Sequence, residues 1–337
     1  METTHRVLSP YLFDASRLKD PHLVVKEVSA PLNGMPRIVI GSKPIDGGYY
    51  IYSREEMMAH IAVEPDAEQF FRPYVGSREF LNGGERHILY LGNVSPADIR
   101  GLRKVRDAIA KVRAYRLGEI PAKGKDDESK SEPGISSRHL AQMPTRFHVT
   151  VVPDGSFLVL PEVSSERREY APIGWMSAPS VPSNLVRVMQ NATLSDFALL
   201  TSAMHMAWLR HIGGRLESRY RYSIGLVYNT FPLPPAKDLS KLDPLAQAIL
   251  DARAVHPGAT LADLYDPDLM PANLRRAHAD LDRAVDRLYR PQGFASDRER
   301  VEHLFGLYER MVAPLLAATQ KPRGRRAGPA GGAKVAP

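Results

Sequence analysis

The sequence of 337 residues contains no cysteine. That absence excludes a disulfide framework, a thiolate zinc site and a cysteine nucleophile. No apolar run approaches the roughly 20 residues that a membrane helix needs. The opening residues, METTHRVLSPYLFDASR, also lack the charged, apolar and small-residue blocks of a signal peptide. A cytoplasmic protein is the expectation. Catalytic signatures are missing as well: there is no G-x-S-x-G elbow, no G-x-x-x-x-G-K-[ST] phosphate loop, no H-E-x-x-H metal helix and no G-x-G-x-x-G dinucleotide loop. His205 and His211 stand six apart, off a shared helical face at ligand spacing. Gly41 to Gly48, GSKPIDGG, carries Lys43 but has the glycine order of a tight turn. No catalytic and no metal-ligating residue is assigned, so the residues describe a binding protein before they describe an enzyme.

What is present is ordinary in amount and informative in distribution. Hydrophobic residues make up 43% and charged residues 25%, enough to build real cores in a chain long enough for two domains. The formal net charge is +7. Five of those charges sit in the tail Lys321 to Pro337, whose Gly/Pro/Ala composition predicts a disordered basic tail. Within the body, Arg100 to Arg146 holds twelve basic residues against six acidic ones, while Lys237 to Gln320 holds eleven against thirteen. A phosphate-facing surface is therefore expected in the first two thirds of the chain.

The N-terminal part alternates short strands with short helices. HLVVKEV, RIVIG, YYIY and RHILYLG are β-prone runs closed by turn residues. Ser53-Arg54-Glu55-Glu56 is a capping box, and Ser95-Pro96-Ala97-Asp98 predicts the start of a helix reaching Leu117. That helix carries Arg100, Arg103, Lys104, Arg106, Lys111, Arg113 and Arg116 around an apolar stripe; a solvated face and a phosphate contact both satisfy the pattern. Residues 118–140 read as a mobile loop. TRFHVTVV, SFLVLPEV and REYAPIGW then read as strands, and TLSDFALLTSAMHMAWLRHIGG as a helix. Beyond Pro235 the pattern is purely helical. The expectation is an α/β (α+β) domain over 1–235, an all-α domain over 236–320, and the tail 321–337.

One polar run interrupts the strands. Between the apolar stretches around FLVLPEV and YAPIGW stands Ser164-Ser165-Glu166-Arg167-Arg168-Glu169. Arginine grips guanine in bidentate fashion, glutamate accepts from cytosine, and serine serves either way. On a strand, Glu166 and Arg168 would share one face and Arg167 would point away, unless a bulge or turn at Ser164-Ser165 reorients the run. A solvated turn or a salt-bridged hairpin answers the same pattern.

At these residues the sequence resembles the C-terminal region of the MmeI-like DNA methyltransferases of type II restriction-modification systems. The stretches carrying the resemblance include PRIVIGSKPIDGGYYIYSREE, EPDAEQFFRPYVGSREFLNGGERHILYLG, LVLPEVSSERREYAPIGW and SNLVRVMQNATLSDFALLTSAMHMAWLRHIGGRLESRYRYSIGLVYNTFPLP, in order across residues 7–315. The resemblance implies a target-recognition domain followed by a helical C-terminal domain. It implies base reading at Ser164, Ser165, Glu166, Arg167 and Arg168, and backbone contacts from Lys43, Arg78, Arg146, Arg219 and Arg221. The partners implied are double-stranded DNA and a methyltransferase catalytic subunit or N-terminal half. S-adenosylmethionine would belong to that catalytic part, because this chain has neither the F-x-G-x-G cofactor loop nor any Asn-Pro dipeptide for the adenine-gripping N-P-P-[FY] motif. Alternatives in keeping with the same features are a catalytically inert DNA-binding regulator or defence factor, and a truncated methyltransferase remnant.

Overall fold

The computed structural model describes residues 7–123, 134–236 and 238–319. The basic tail and the middle of the 118–140 segment lie outside the described residues. Along the chain the elements are β1 (Val39–Ile40), β2 (Ile51–Ser53), α1 (Arg54–Ile61), β3 (Phe71–Val75), α2 (Ser77–Asn82), β4 (Arg86–Leu89), α3 (Arg103–Leu117) and α4 (Ile135–Leu140). They continue with β5 (Ser156–Pro161), β6 (Val163–Ser164), β7 (Gly174–Ser177), β8 (Val181–Pro182), β9 (Val186–Gln190), α5 (Leu194–Thr201), α6 (Ala203–Ile212), β10 (Gly214–Leu216) and β11 (Arg219–Arg221). After a π-turn at Ile224–Tyr228 only helices follow: α7 (Asp243–Ala254), α8 (Leu261–Leu264), α9 (Ala272–Tyr289) and α10 (Asp297–Thr319). The mixed domain followed by helices matches the expected class.

Three small sheets arise because short strands are separated by turns that re-aim the chain. Their orders are β2-β4-β3-β8, β1-β9-β5-β7 and β10-β11-β6. Pairing is antiparallel except between β3 and β8. The first sheet packs on α3 through Tyr74, Ile88, Leu89, Val105 and Val112. The large core joins Leu158, Phe197, Trp208 and Tyr228 to Leu281, Val285 and Phe305, so apolar packing runs across the chain position at 235 without interruption. Trp208 of α6, fully buried, packs at a tilt against the rings of Phe305 and Tyr308 of α10.

Several expected elements differ, and each difference has a tertiary cause. HLVVKEV forms no strand: tyrosine hydroxyls replace ladder partners, with Tyr11 Oη accepting the Val25 N–H at 3.0 Å and Tyr308 Oη that of Lys26 at 3.3 Å. TRFHVTVV makes only a bridge between Lys43 and Val149, because the Ser42 hydroxyl satisfies both the N–H and the C=O of Val151. In REYAPIGW the strand starts only at Gly174. The helix expected from Ser95 starts at Arg103. Ser95 closes a single turn with Asp98, and the carboxylate of Glu64 caps α3 by accepting the Lys104 N–H at 2.6 Å. The long helix at 194–212 breaks at Ser202, whose extended backbone and hydroxyl cap α6. Within the segment read as a loop, Ile135–Leu140 is helical.

Candidate nucleic-acid interface

The polar run is a turn standing between two well-held strands. β5 leaves its sheet at Glu162, and β6 pairs instead with β11, placing Ser164 opposite Tyr220 and Val163 opposite Arg221. The chain then turns over Ser165 to Arg168. The Arg168 N–H bonds the Ser165 carbonyl at 3.2 Å, and the Arg167 N–H bonds the Ser165 hydroxyl at 3.3 Å. This corrects the strand geometry expected for Glu166 and Arg168, because serine side-chain bonding favours a turn where the ladder has no partner.

In the turn the side chains diverge. Glu166 is fully exposed. Hydrogen bonds from its own backbone N–H and the Ser218 hydroxyl, assisted by Arg215 and Arg219, hold its carboxyl below the ordinary range. Arg167 leans the other way and pairs with Asp268 at 2.5 Å. Arg168 is half-buried, and burial pulls its guanidinium below the ordinary value against the field of Asp266. Ser164 is buried beneath the turn, its hydroxyl without a partner among the described residues. Ser165 is half-buried and holds the turn closed.

The fold brings Arg219 and Arg221 to the same place. They flank buried Tyr220 on β11, so both emerge on the exposed face of the β10–β11 hairpin. Arg215 covers the Tyr220 ring at 3.9 Å, and Arg219 pairs with Glu217 at 2.9 Å. Glu162, at the bend before β6, bridges Arg221 at 3.3 Å and the buried Arg187 of β9 at 2.8 Å. The bridge ties the hairpin to the central sheet, a role the sequence did not signal for either Glu162 or Arg187.

Lys43 and Arg146 form a second group, joined through the backbone around Arg116. That arginine, expected on a charged helix face, is fully buried at the end of α3. Its guanidinium donates to the carbonyls of Pro44 (2.8 Å), Ile45 (2.9 Å), Leu140 (3.0 Å), Met143 (3.2 Å) and Arg146 (2.7 Å). Lys43 is half-buried and Arg146 exposed. Arg78 is exposed on α2, while its neighbour Glu79 pairs with Arg86 at 2.8 Å.

Behind the turn, α6 and the helical domain grip the chain residue by residue. Arg275 of α9 holds the Glu169 carboxylate at 2.8 Å, and Arg210 of α6 takes the Glu169 carbonyl at 2.6 Å. Tyr170 donates to Asp282 at 2.6 Å and stacks on His278 with ring centroids 4.0 Å apart. Arg253 of α7 donates to the Ile173 carbonyl at 2.8 Å. These partners lie 41 to 112 residues downstream, a separation at which no local pattern could have paired them.

No group of residues able to hold a metal ion is found among the described residues, and none of their helices is long and apolar enough to cross a membrane. The cleft between α1 and α3 is lined by Tyr49, Tyr52, Lys104, Asp107, Lys111 and Lys123, with Glu56 paired to Lys123 at 2.8 Å.

Family models describe the same two parts: that of the MmeI target recognition domain matches residues 19–235, and that of the MmeI C-terminal domain matches residues 234–316. DNA methyltransferase A of Bacillus subtilis (strain 168) is 35% identical over 307 residues, covering 90% of this chain and 33% of the relative. The solved structure of the Type IIL restriction-modification enzyme MmeI in complex with DNA superimposes with a TM-score of 0.80 at 37% identity, covering 90% of this chain and 39% of that one. The chain thus spans between a third and two fifths of the length of these relatives. It belongs to the MmeI family, of which it carries the target recognition domain and the C-terminal domain.

Proposed function

We propose that this chain reads a specific duplex DNA sequence and directs an adenine-specific methyltransferase module to it within a restriction-modification system. The observation that carries the reading is the turn at 165–168: Glu166 and Arg167 project into solvent from a backbone held on one side by β11 and on the other by α6, α7 and α9. Base discrimination needs donors and acceptors fixed in register, and a braced turn supplies that where a free loop would not. Glu166, Arg167 and Arg168 are the base-reading residues of this proposal, with Ser165 shaping the turn and Ser164 supporting it from below. Arg219 and Arg221, beside the turn, contact flanking phosphates. Lys43, Arg146 and Arg78 extend the phosphate contacts elsewhere on the domain and set position rather than sequence.

The chemistry belongs to a partner module. That module would bind S-adenosylmethionine as the methyl donor and take the target adenine out of the stack. This chain contributes the choice of site and the orientation of the duplex. The setting is the cytoplasm, where cellular DNA is reached.

Selection from a randomised duplex pool with the full chain tests the proposal. Enrichment of one motif is expected, and adenine methylation inside that motif on adding a methyltransferase module of the same family. A chain that enriches no motif, or one that methylates DNA unaided, overturns it.

A further inference from the structure

The helical domain, with α6 beside it, holds the 167–170 segment in two different ways. Glu169 and Tyr170 are locked: Arg275 and Arg210 fix the first, and Asp282 and the His278 ring fix the second, with Tyr170 buried. The Arg167 side chain, two residues earlier, pairs among the described residues only with Asp268, through side chains 60% and 71% exposed. Exposed pairs contribute little and are screened by salt, so this one can open while the backbone beneath it stays put. Asp268 is itself placed: its N–H bonds the Asp266 carboxylate at 2.9 Å, in the turn between α8 and α9.

A loose ion pair on a rigid base is an exchangeable counter-charge. Guanine offers the Arg167 fork two neutral acceptors in one plane, whereas a phosphate approaching the same fork brings its own negative charge against Asp266 and Asp268. Specificity is a difference between two affinities, and a fixed pair of carboxylates beside the reading arginine enlarges it by penalising the phosphate-only contact.

We propose that Asp268 of the helical domain, placed by Asp266, is a specificity-determining residue: it occupies Arg167 until a correctly positioned guanine edge replaces it. The inference rests on the DNA-reading function proposed above and deepens it.

The test compares the full chain with Asp268→Asn, Asp268→Glu and the double variant Arg167→Ala/Asp268→Asn. Each is titrated against a random-sequence duplex and against the duplex enriched by the unaltered chain. Asp268→Asn should bind the random duplex roughly three- to tenfold more tightly, with a salt dependence steeper by about one ion. Its affinity for the enriched duplex should change by less than about twofold, so discrimination falls. Asp268→Glu should keep the original discrimination, and the double variant should lose the gain on random duplex. Unchanged discrimination, or equal weakening on both duplexes by a variant with an unaltered thermal transition, overturns the proposal. If the unaltered chain enriches no motif, the recognition reading fails separately. The random-duplex titration then decides for Asp268 alone, and an affinity unmoved by Asp268→Asn overturns its role.

Discussion

Glu166 and Arg168 leave the same turn under different constraints. The Glu166 carboxyl is kept ionised by its own N–H and by Ser218, so it stays an acceptor throughout the pH range in which duplex DNA is handled. Arg168 is half-buried, its reach set by packing rather than by a free side chain. Exchanging the two together for another compatible pair should change which base is tolerated at one position, with each wrong base costing roughly 1–3 kcal/mol. Arg219→Ala serves as the contrast: it should weaken binding to every sequence and reduce the salt dependence by about one ion. Uniform weakening from the Glu166/Arg168 exchange would show that these residues hold phosphate or hold the fold. The cluster itself was legible as a run of six polar residues between apolar stretches. That Arg167 is taken up by Asp268 was not, because the two stand 101 residues apart, with Asp268 in the turn between α8 and α9.

α3 shows how an element can be right in kind and wrong in its details. Its apolar periodicity predicted the helix. Its start was set by Glu64, and its last cation by loops that no helical pattern describes. Arg116 satisfies five carbonyls with its five donors and so joins α3 to the 44–45 turn and to α4. Arg116→Lys substitutes one compact ammonium for a planar fork and leaves at least two buried carbonyls unpaired, a loss of about 2–4 kcal/mol. Urea denaturation should show the midpoint falling with the slope unchanged. A midpoint equal to that of the unaltered chain would mean that water or a neighbouring group satisfies those carbonyls.

Across the whole molecule the recognition turn and the helical domain are one packed unit, and Asp282 records the cost of joining them. Burial raises its carboxyl to about 6, against hydrogen bonds from the Ala203 N–H and the Tyr170 hydroxyl that lower it. The folded state therefore holds a proton between the ordinary value of 3.8 and about 6 that the unfolded chain releases, so this group's contribution to stability falls as pH rises through that window and is flat above it. Asp282→Asn removes the titration. Denaturation at pH 4 and pH 7 should show the variant gaining on the unaltered chain by about 2–3 kcal/mol over that interval. His205, fully buried and depressed to about 3 by desolvation, acts in the opposite sense: its contribution is complete above its ordinary value of 6.5 and is lost as pH falls toward 3. A stability difference between Asp282→Asn and the unaltered chain that does not move with pH would mean the carboxyl is ionised throughout.

Local chemistry in the sequence determined the class of the fold, most helices, the capping box at Ser53 and the polar cluster at 164–169, because periodicity and side-chain capping act within a few residues. Tertiary structure alone decided that the cluster is a turn, that β6 pairs with β11, that Arg116 is buried, and that the helical domain grips the reading residues. Each of those outcomes depends on partners tens of residues away in sequence, whose approach is settled by burying one shared core.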